Sequence, residues 1–171
     1  MMRLILQPMG NIPEMLIEKI SEELKNQLRI VTDVAATMGI PKEFRDSYRD
    51  QYSAERILKF LNENVQGRVL AITDSDIFAA EMNYTYGQAQ MSGSSAVLST
   101  FRLRPEFYRN RADNSVLIER AIKESVHEVG HMLGLKHCLN EKCVMNFSPT
   151  IFNFDKKAKN FCDDCKTKLR I

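Results

Sequence analysis

The chain has 171 residues, 44% of them hydrophobic and 27% charged, with 7 Gly and 5 Pro. That excludes a disordered, collagen-like or low-complexity chain and predicts one globular domain. Lys plus Arg number 24 against 22 for Asp plus Glu, a balance too even for non-specific nucleic-acid or membrane binding to be the main business.

Near the start, the apolar run Leu4-Ile5-Leu6 ends at Gln7-Pro8, too short for the apolar core of a secretory signal. No stretch approaches the roughly 18 apolar residues of a membrane span. A cytoplasmic location is expected, where cysteines serve as metal ligands or free thiols more often than as disulfides.

The run Arg3–Gln7 predicts a strand and Met9-Gly10-Asn11 a turn. From Pro13 the residues Met15, Leu16, Ile20, Leu24 and Leu28 recur at helical spacing, giving an amphipathic helix with proline in its first turn. Arg29–Val34 predicts a second strand, and the poorly patterned segment Ala35–Gln51 is expected to be irregular. Ser53 caps a second helix carrying Ile57, Leu58, Phe60 and Leu61, and Val69–Thr73 follows as an apolar strand. This alternation predicts a largely parallel sheet with crossover helices. The half-polar run Asn83–Met91, with Gly87 inside it and Ser92-Gly93-Ser94-Ser95 as a turn before the strand Ala96–Thr100, suits a sheet edge. Past the basic loop Phe101–Arg111, Asp113 caps a long helix whose apolar positions Val116, Leu117, Ala121, Ile122, Val126, Val129 and Leu133 repeat at three and four before Gly134 stops it.

All 3 His and all 4 Cys fall between His127 and Cys165. His127 to His137 reads H-E-x-x-H-x-x-G-x-x-H. On a helix His127 and His131 project from one face and can bind one Zn²⁺, while Glu128, one step round, stands beside the metal as a base rather than a ligand. Gly134 lets the chain turn back sharply and bring His137 to the third position. Three neutral imidazoles and one position left for water describe catalytic rather than structural zinc. A bare H-E-x-x-H recurs in helices by accident, whereas the extended pattern uses every histidine in the chain.

Cys138-x4-Cys143 and Cys162-x2-Cys165 form two close pairs, a spacing that can converge on a closed four-thiolate zinc site; disulfides or buried free thiols are the alternatives. His137 and Cys138 are adjacent, which couples the two sites. A competing function is a zinc-stabilised binding module for nucleic acid or peptide. Its basis is the tail Lys156, Lys157, Lys159, Lys166, Lys168 and Arg170 around Cys162 and Cys165, diluted by Asp155, Asp163 and Asp164.

The histidine motif, its continuation CLNEKCVMNFS and the later Cys-Asp-Asp-Cys resemble the archaemetzincins, a branch of the metzincin metallopeptidases. The resemblance implies a twisted, mixed five-stranded α/β or α+β sheet with an antiparallel edge strand, packed on two to three long helices. It implies one metallopeptidase domain over residues 1–171: a part, 1–134, ending in the zinc helix, and a part, 135–171, stapled by zinc. It assigns His127, His131 and His137 to catalytic zinc, Glu128 to the general base, Met145 to a methionine turn beneath the metal, and Cys138, Cys143, Cys162 and Cys165 to a structural second zinc. The implied activity is zinc-dependent peptide hydrolysis. The implied partner is a peptide or protein substrate held along the edge strand, with neither nucleic acid nor membrane and with a monomer expected. Some metzincins use a tyrosine after the methionine turn, and no tyrosine follows Tyr108 here.

Overall fold

The computed structural model describes residues 1–171. In chain order its elements are β1 (Arg3–Met9), α1 (Glu14–Leu28), β2 (Val31–Val34), β3 (Arg45–Asp46), β4 (Gln51–Ser53), α2 (Ala54–Asn64) and β5 (Val69–Thr73). There follow β6 (Ile77–Phe78), β7 (Gly87–Ala89), β8 (Ser95–Ser99), α3 (Asn114–Met132), α4 (Ile151–Lys156) and α5 (Asp163–Leu169).

Five strands form the principal sheet in the order β2-β1-β5-β8-β7. β1, β2, β5 and β8 are mutually parallel; β7 alone is antiparallel, with Gly87 opposite Leu98 and Ala89 opposite Ala96. Parallel neighbours need crossovers, and α1 and α2 supply them on opposite faces. Both faces are therefore covered, and the central strands are apolar on both. Leu70, Ile72, Ala96 and Leu98 share a core with α1 and α3, whereas Val69, Ala71 and Val97 pack with α2. The helix starts follow the sequence: Ser53 accepts from Arg56 N, and Asp113 accepts from Ser115 N and Val116 N, each satisfying amides that an α-helix leaves free.

Three expectations need correction. Ala35–Gln51 is not wholly irregular, because β3 and β4 join β6 in a second small sheet. Its pairing partners lie 25 residues away, Tyr52 opposite Ile77 and Ser53 opposite Phe78, so local pattern could not reveal it. The strand expected over Asn83–Met91 shrinks to Gly87–Ala89, with only an isolated bridge from Thr85 to Ile77 before it. Met15, assigned to the apolar stripe of α1, is 61% exposed; Leu16, Ile17, Ile20 and Leu24 make the buried face.

After α3 the chain returns beneath that helix. Every residue from Arg120 to Met132 is buried, although the run includes Arg120, Lys123, Glu124 and Glu128. Two of these hold α4 in place. Arg120 donates to both oxygens of Asp155 at 2.8 and 2.7 Å and to the Leu103 carbonyl at 2.9 Å, and Lys123 Nζ donates to the Asp155 carbonyl at 3.2 Å. A buried guanidinium with a bidentate partner offsets its desolvation. The basic tail is not a continuous patch: Lys157 is buried, and Lys159 pairs with Glu23 on α1 at 2.7 Å. No helix is long and apolar enough to cross a membrane.

Candidate active site

The last turn of α3 ends in a Schellman motif, in which Leu135 N donates to Gly130 O and Gly134 N to His131 O, both at 2.9 Å. Gly134 takes φ +96°, a left-handed value that costs glycine little. The same turn orients a histidine. His131 Nδ1–H donates to the Leu135 carbonyl at 2.7 Å, and His127 Nδ1–H donates to the Val144 carbonyl at 2.7 Å. A carbonyl can only accept, so each ring carries its proton on Nδ1 and presents the Nε2 lone pair inward.

Those two Nε2 atoms lie 3.1 Å apart. Two nitrogens bound at about 2.0–2.1 Å to one tetrahedral ion stand about 3.4 Å apart, so the pair is set for a shared cation. His137 joins them beyond the turn, its ring centroid 4.9 Å from that of His131 and 5.3 Å from that of His127. One ligand atom from each histidine falls within 4.8 Å of the others. Burial pushes all three imidazoles below their ordinary range, most strongly at His127. They are therefore neutral, the form that binds a metal.

The histidines open onto a cavity of about 500 Å³ bounded on one side by β7 and on the other by Phe147–Pro149. Buried polar side-chain atoms without a hydrogen-bond partner are few: Tyr86 Oη, Gln88 Oε1, Glu128 Oε2 and Ser148 Oγ. All four residues line this cavity. An unpaired buried polar atom costs roughly 1–3 kcal/mol, and the concentration of such atoms at one place marks a site built for a ligand. Tyr84 and Tyr86, both upstream of the histidines, are the tyrosines that line the cavity.

The cysteines converge separately. Cys138 Sγ and Cys162 Sγ are 3.8 Å apart, as are Cys143 Sγ and Cys165 Sγ, and none is in a disulfide. Two thiolates at about 2.3 Å from a tetrahedral ion stand about 3.8 Å apart. Backbone amides of Met145 and Cys162 point at Cys143 Sγ, both at 3.4 Å. The Cys165 amide, at the start of α5, lowers the Cys162 thiol below its ordinary pKa, while burial raises Cys143. The donor set suits a closed, soft metal site.

The profile of peptidase family M54 matches residues 2–171. The chain is 36% identical to the archaemetzincin of Methanocaldococcus jannaschii, covering 99% of this chain and 93% of that one. The chain belongs to the archaemetzincins, peptidase family M54. Among solved structures it resembles the archaemetzincin of Archaeoglobus fulgidus complexed with malonate, with a TM-score of 0.87 and 35% identity over 98% of this chain and 99% of that one. The archaemetzincin of Methanopyrus kandleri also gives 0.87, at 33% identity over 99% of this chain and 93% of that one. The mixed sheet with its antiparallel edge is thus the archaemetzincin fold, and the chain is a zinc metallopeptidase.

Two glycines, Gly87 of the edge run and Gly130 of the zinc helix, shape this archaemetzincin site in ways the sequence does not show. A Cβ on Gly130 would stand 2.5 Å from Met145 Sδ and 3.2 Å from Phe161 Cε1. A glycine inside a helix costs about 1 kcal/mol, and here it lets fully buried Met145 lie directly against the helix between the two histidines. A Cβ on Gly87 would stand 2.7 Å from Glu124 Oε1 and 2.8 Å from Glu128 Oε1, so the edge strand closes down on the carboxylates only because position 87 is bare. Gly87→Ala is expected to lower kcat about ten- to a hundredfold through displacement of Glu128, and to lower the melting temperature as well because the same Cβ would stand 2.8 Å from the Val97 carbonyl oxygen on β8, with zinc content nearly unchanged. Steady-state kinetics beside metal analysis and thermal melting check this.

Proposed function

We propose that His127, His131 and His137 hold the catalytic zinc through Nε2, that Glu128 is the general base, and that Cys138, Cys143, Cys162 and Cys165 hold a second, structural zinc. The observation that carries the reading is the inward-facing Nε2 pair at 3.1 Å, its Nδ1 protons committed to carbonyls, beside a carboxylate whose Oε2 has no partner. When bound, zinc supplies Lewis acidity that acidifies water and polarises the scissile carbonyl.

The remaining work falls to the chain's own groups. β7 pairs with another strand only on its β8 side, so its outer backbone groups, apart from the Gly87 carbonyl that accepts from Thr85 Oγ1 at 2.6 Å, can hold an extended peptide by strand addition. Glu128 Oε2, buried and unpartnered in the cavity, takes the proton of the attacking water and returns it to the leaving amine. Met145, packed on Gly130, supports the helix between His127 and His131 from below. The substrate is a peptide or protein, and the expected compartment is the cytoplasm, where thiols stay free for the metal.

Metal analysis before and after chelation, paired with peptide cleavage, tests the reading: two zincs per chain and activity restored by zinc are expected. A purely structural protein would hold metal at the cysteines and cleave nothing. The depressed histidine pKa values add a pH prediction. A proton competes with zinc for each Nε2, and an ordinary imidazole is half protonated at pH 6.5. Burial lowers that point, so zinc is expected to stay bound as pH falls through 6.5 and to leave only at lower pH, as equilibrium dialysis over a pH series will show.

A further inference from the structure

Lys157 is 3% exposed, yet no carboxylate oxygen lies within 4.0 Å of its Nζ. Its single hydrogen bond runs to the Asn146 carbonyl at 3.2 Å, and its ammonium stands 4.6 Å from the centre of the Phe154 ring. Buried lysines are almost always paired, because an ammonium without a counter-charge is expensive to desolvate. One used N–H of three leaves two donors free.

Lys157 lines the catalytic cavity, as does Ser148, which is 7% exposed and whose Oγ has no partner. The rims of this cavity are bridged at one point. Tyr84, ahead of the edge strand, donates from Oη to the Pro149 carbonyl at 3.0 Å and so ties the two rims together. The strap is itself braced: Arg102 lies over the Tyr84 ring at 4.2 Å and binds Asp76 through two bonds of 2.9 and 2.8 Å. A bridge across the rims favours the end of a peptide here, a side chain or a chain terminus, over a strand running straight through.

We propose that Lys157, together with Ser148 of the same lining, is a specificity determinant that receives a substrate carboxylate in the catalytic cavity. Glu124 and Glu128 act on Lys157 electrostatically, but Oε1 of each lies under Gly87 and no oxygen of either comes within ion-pair distance of Nζ, so its free N–H donors stay unfilled. A carboxylate takes the two free N–H donors and the Ser148 hydroxyl in charge-assisted hydrogen bonds, replacing the hydration that burial removed. An acidic side chain and a C-terminal carboxylate offer the same chemistry.

The proposal rests on the peptidase reading and can be tested apart from it. In the zinc-loaded protein, amidated peptides with Glu or Gln flanking the cleaved bond probe the side-chain source; neutral peptides with a free or amidated C-terminus probe the terminus. A preference in kcat/KM of at least tenfold for the carboxylate is expected in one pair, lost in Lys157→Met and reduced several-fold in Ser148→Ala, which removes only a hydroxyl. In protein that keeps zinc at the cysteines but not at the histidines, calorimetry with N-acetylalanine and its amide reads binding without turnover: the acid should bind at least tenfold more tightly, and the difference should vanish in Lys157→Met. No preference in either wild-type pair, or a preference untouched by both substitutions, overturns the proposal. Failure to cleave any peptide counts against the peptidase mechanism and leaves the calorimetric comparison to decide the role of Lys157.

Discussion

Glu128→Ala is expected to retain both metals and to lose peptide turnover by about 10²–10⁴-fold, the usual contribution of a positioned general base. The reason is geometric first. Glu128 follows His127 on α3, so its carboxylate is rotated off the line of the two imidazoles and is free to handle a proton. One oxygen lies close under Gly87 and the other has no partner at all. Its electrostatics point the same way: burial and the neighbouring Glu124 push the carboxyl well above its ordinary range, with Lys157 pulling weakly against them. A carboxylate raised above its ordinary range holds a proton more readily than an ordinary one. Glu128→Gln keeps the shape and should lose as much. Parallel kinetics and metal counting decide it, and a variant with full turnover and full zinc would remove Glu128 from the chemistry.

The parts of this site that the sequence disclosed are those set by local geometry. His127 and His131 share a face because a helix repeats every 3.6 residues, and His137 arrives because Gly134 permits one left-handed turn, all within a span of 11 residues. The largely parallel character of the sheet is legible for the same reason, from apolar runs alternating with amphipathic helices, whereas the strand order β2-β1-β5-β8-β7 is not. What was hidden depends on packing between distant segments. Gly87 reads as an edge-strand residue; that it must be bare follows only from the approach of Glu124, 37 positions away, and Glu128, 41 positions away. Gly130 looks like a tolerated helix glycine until Met145 is seen against it. Lys157 was read as one charge in a basic tail, because no periodicity says that α4 docks under α3 and carries it inside. Its docking rests on Arg120 and Asp155, which are 35 residues apart.

Cys165→Ser is expected to release zinc from both sites, although Cys165 touches no histidine. Two backbone links carry the effect. His137 is followed directly by Cys138, whose amide donates to the Met145 carbonyl at 2.9 Å and whose own carbonyl accepts from Asn146 Nδ2 at 2.8 Å. Cys143 is followed directly by Val144, whose carbonyl fixes the ring of His127. The segment held by the four thiols is thus the segment that orients the first histidine and delivers the third. A four-ligand structural zinc contributes roughly 10–16 kcal/mol to folding in small zinc domains. If one thiolate accounts for about a quarter of that, roughly 3 kcal/mol, the melting temperature falls by about 6–12 °C for a chain of this size. Freed from the cluster, Val144 no longer holds the Nδ1 proton of His127, and that ring loses the orientation that aims Nε2 at the metal. Outer partners of this kind change metal affinity about 10- to 100-fold, so zinc at the histidines should be stripped by chelator concentrations that leave the unaltered protein loaded. A Cys165→Ser protein that still carries two zincs per chain under those conditions would mean that the two sites fold independently, and the adjacency of His137 and Cys138 would then be a matter of chain order alone.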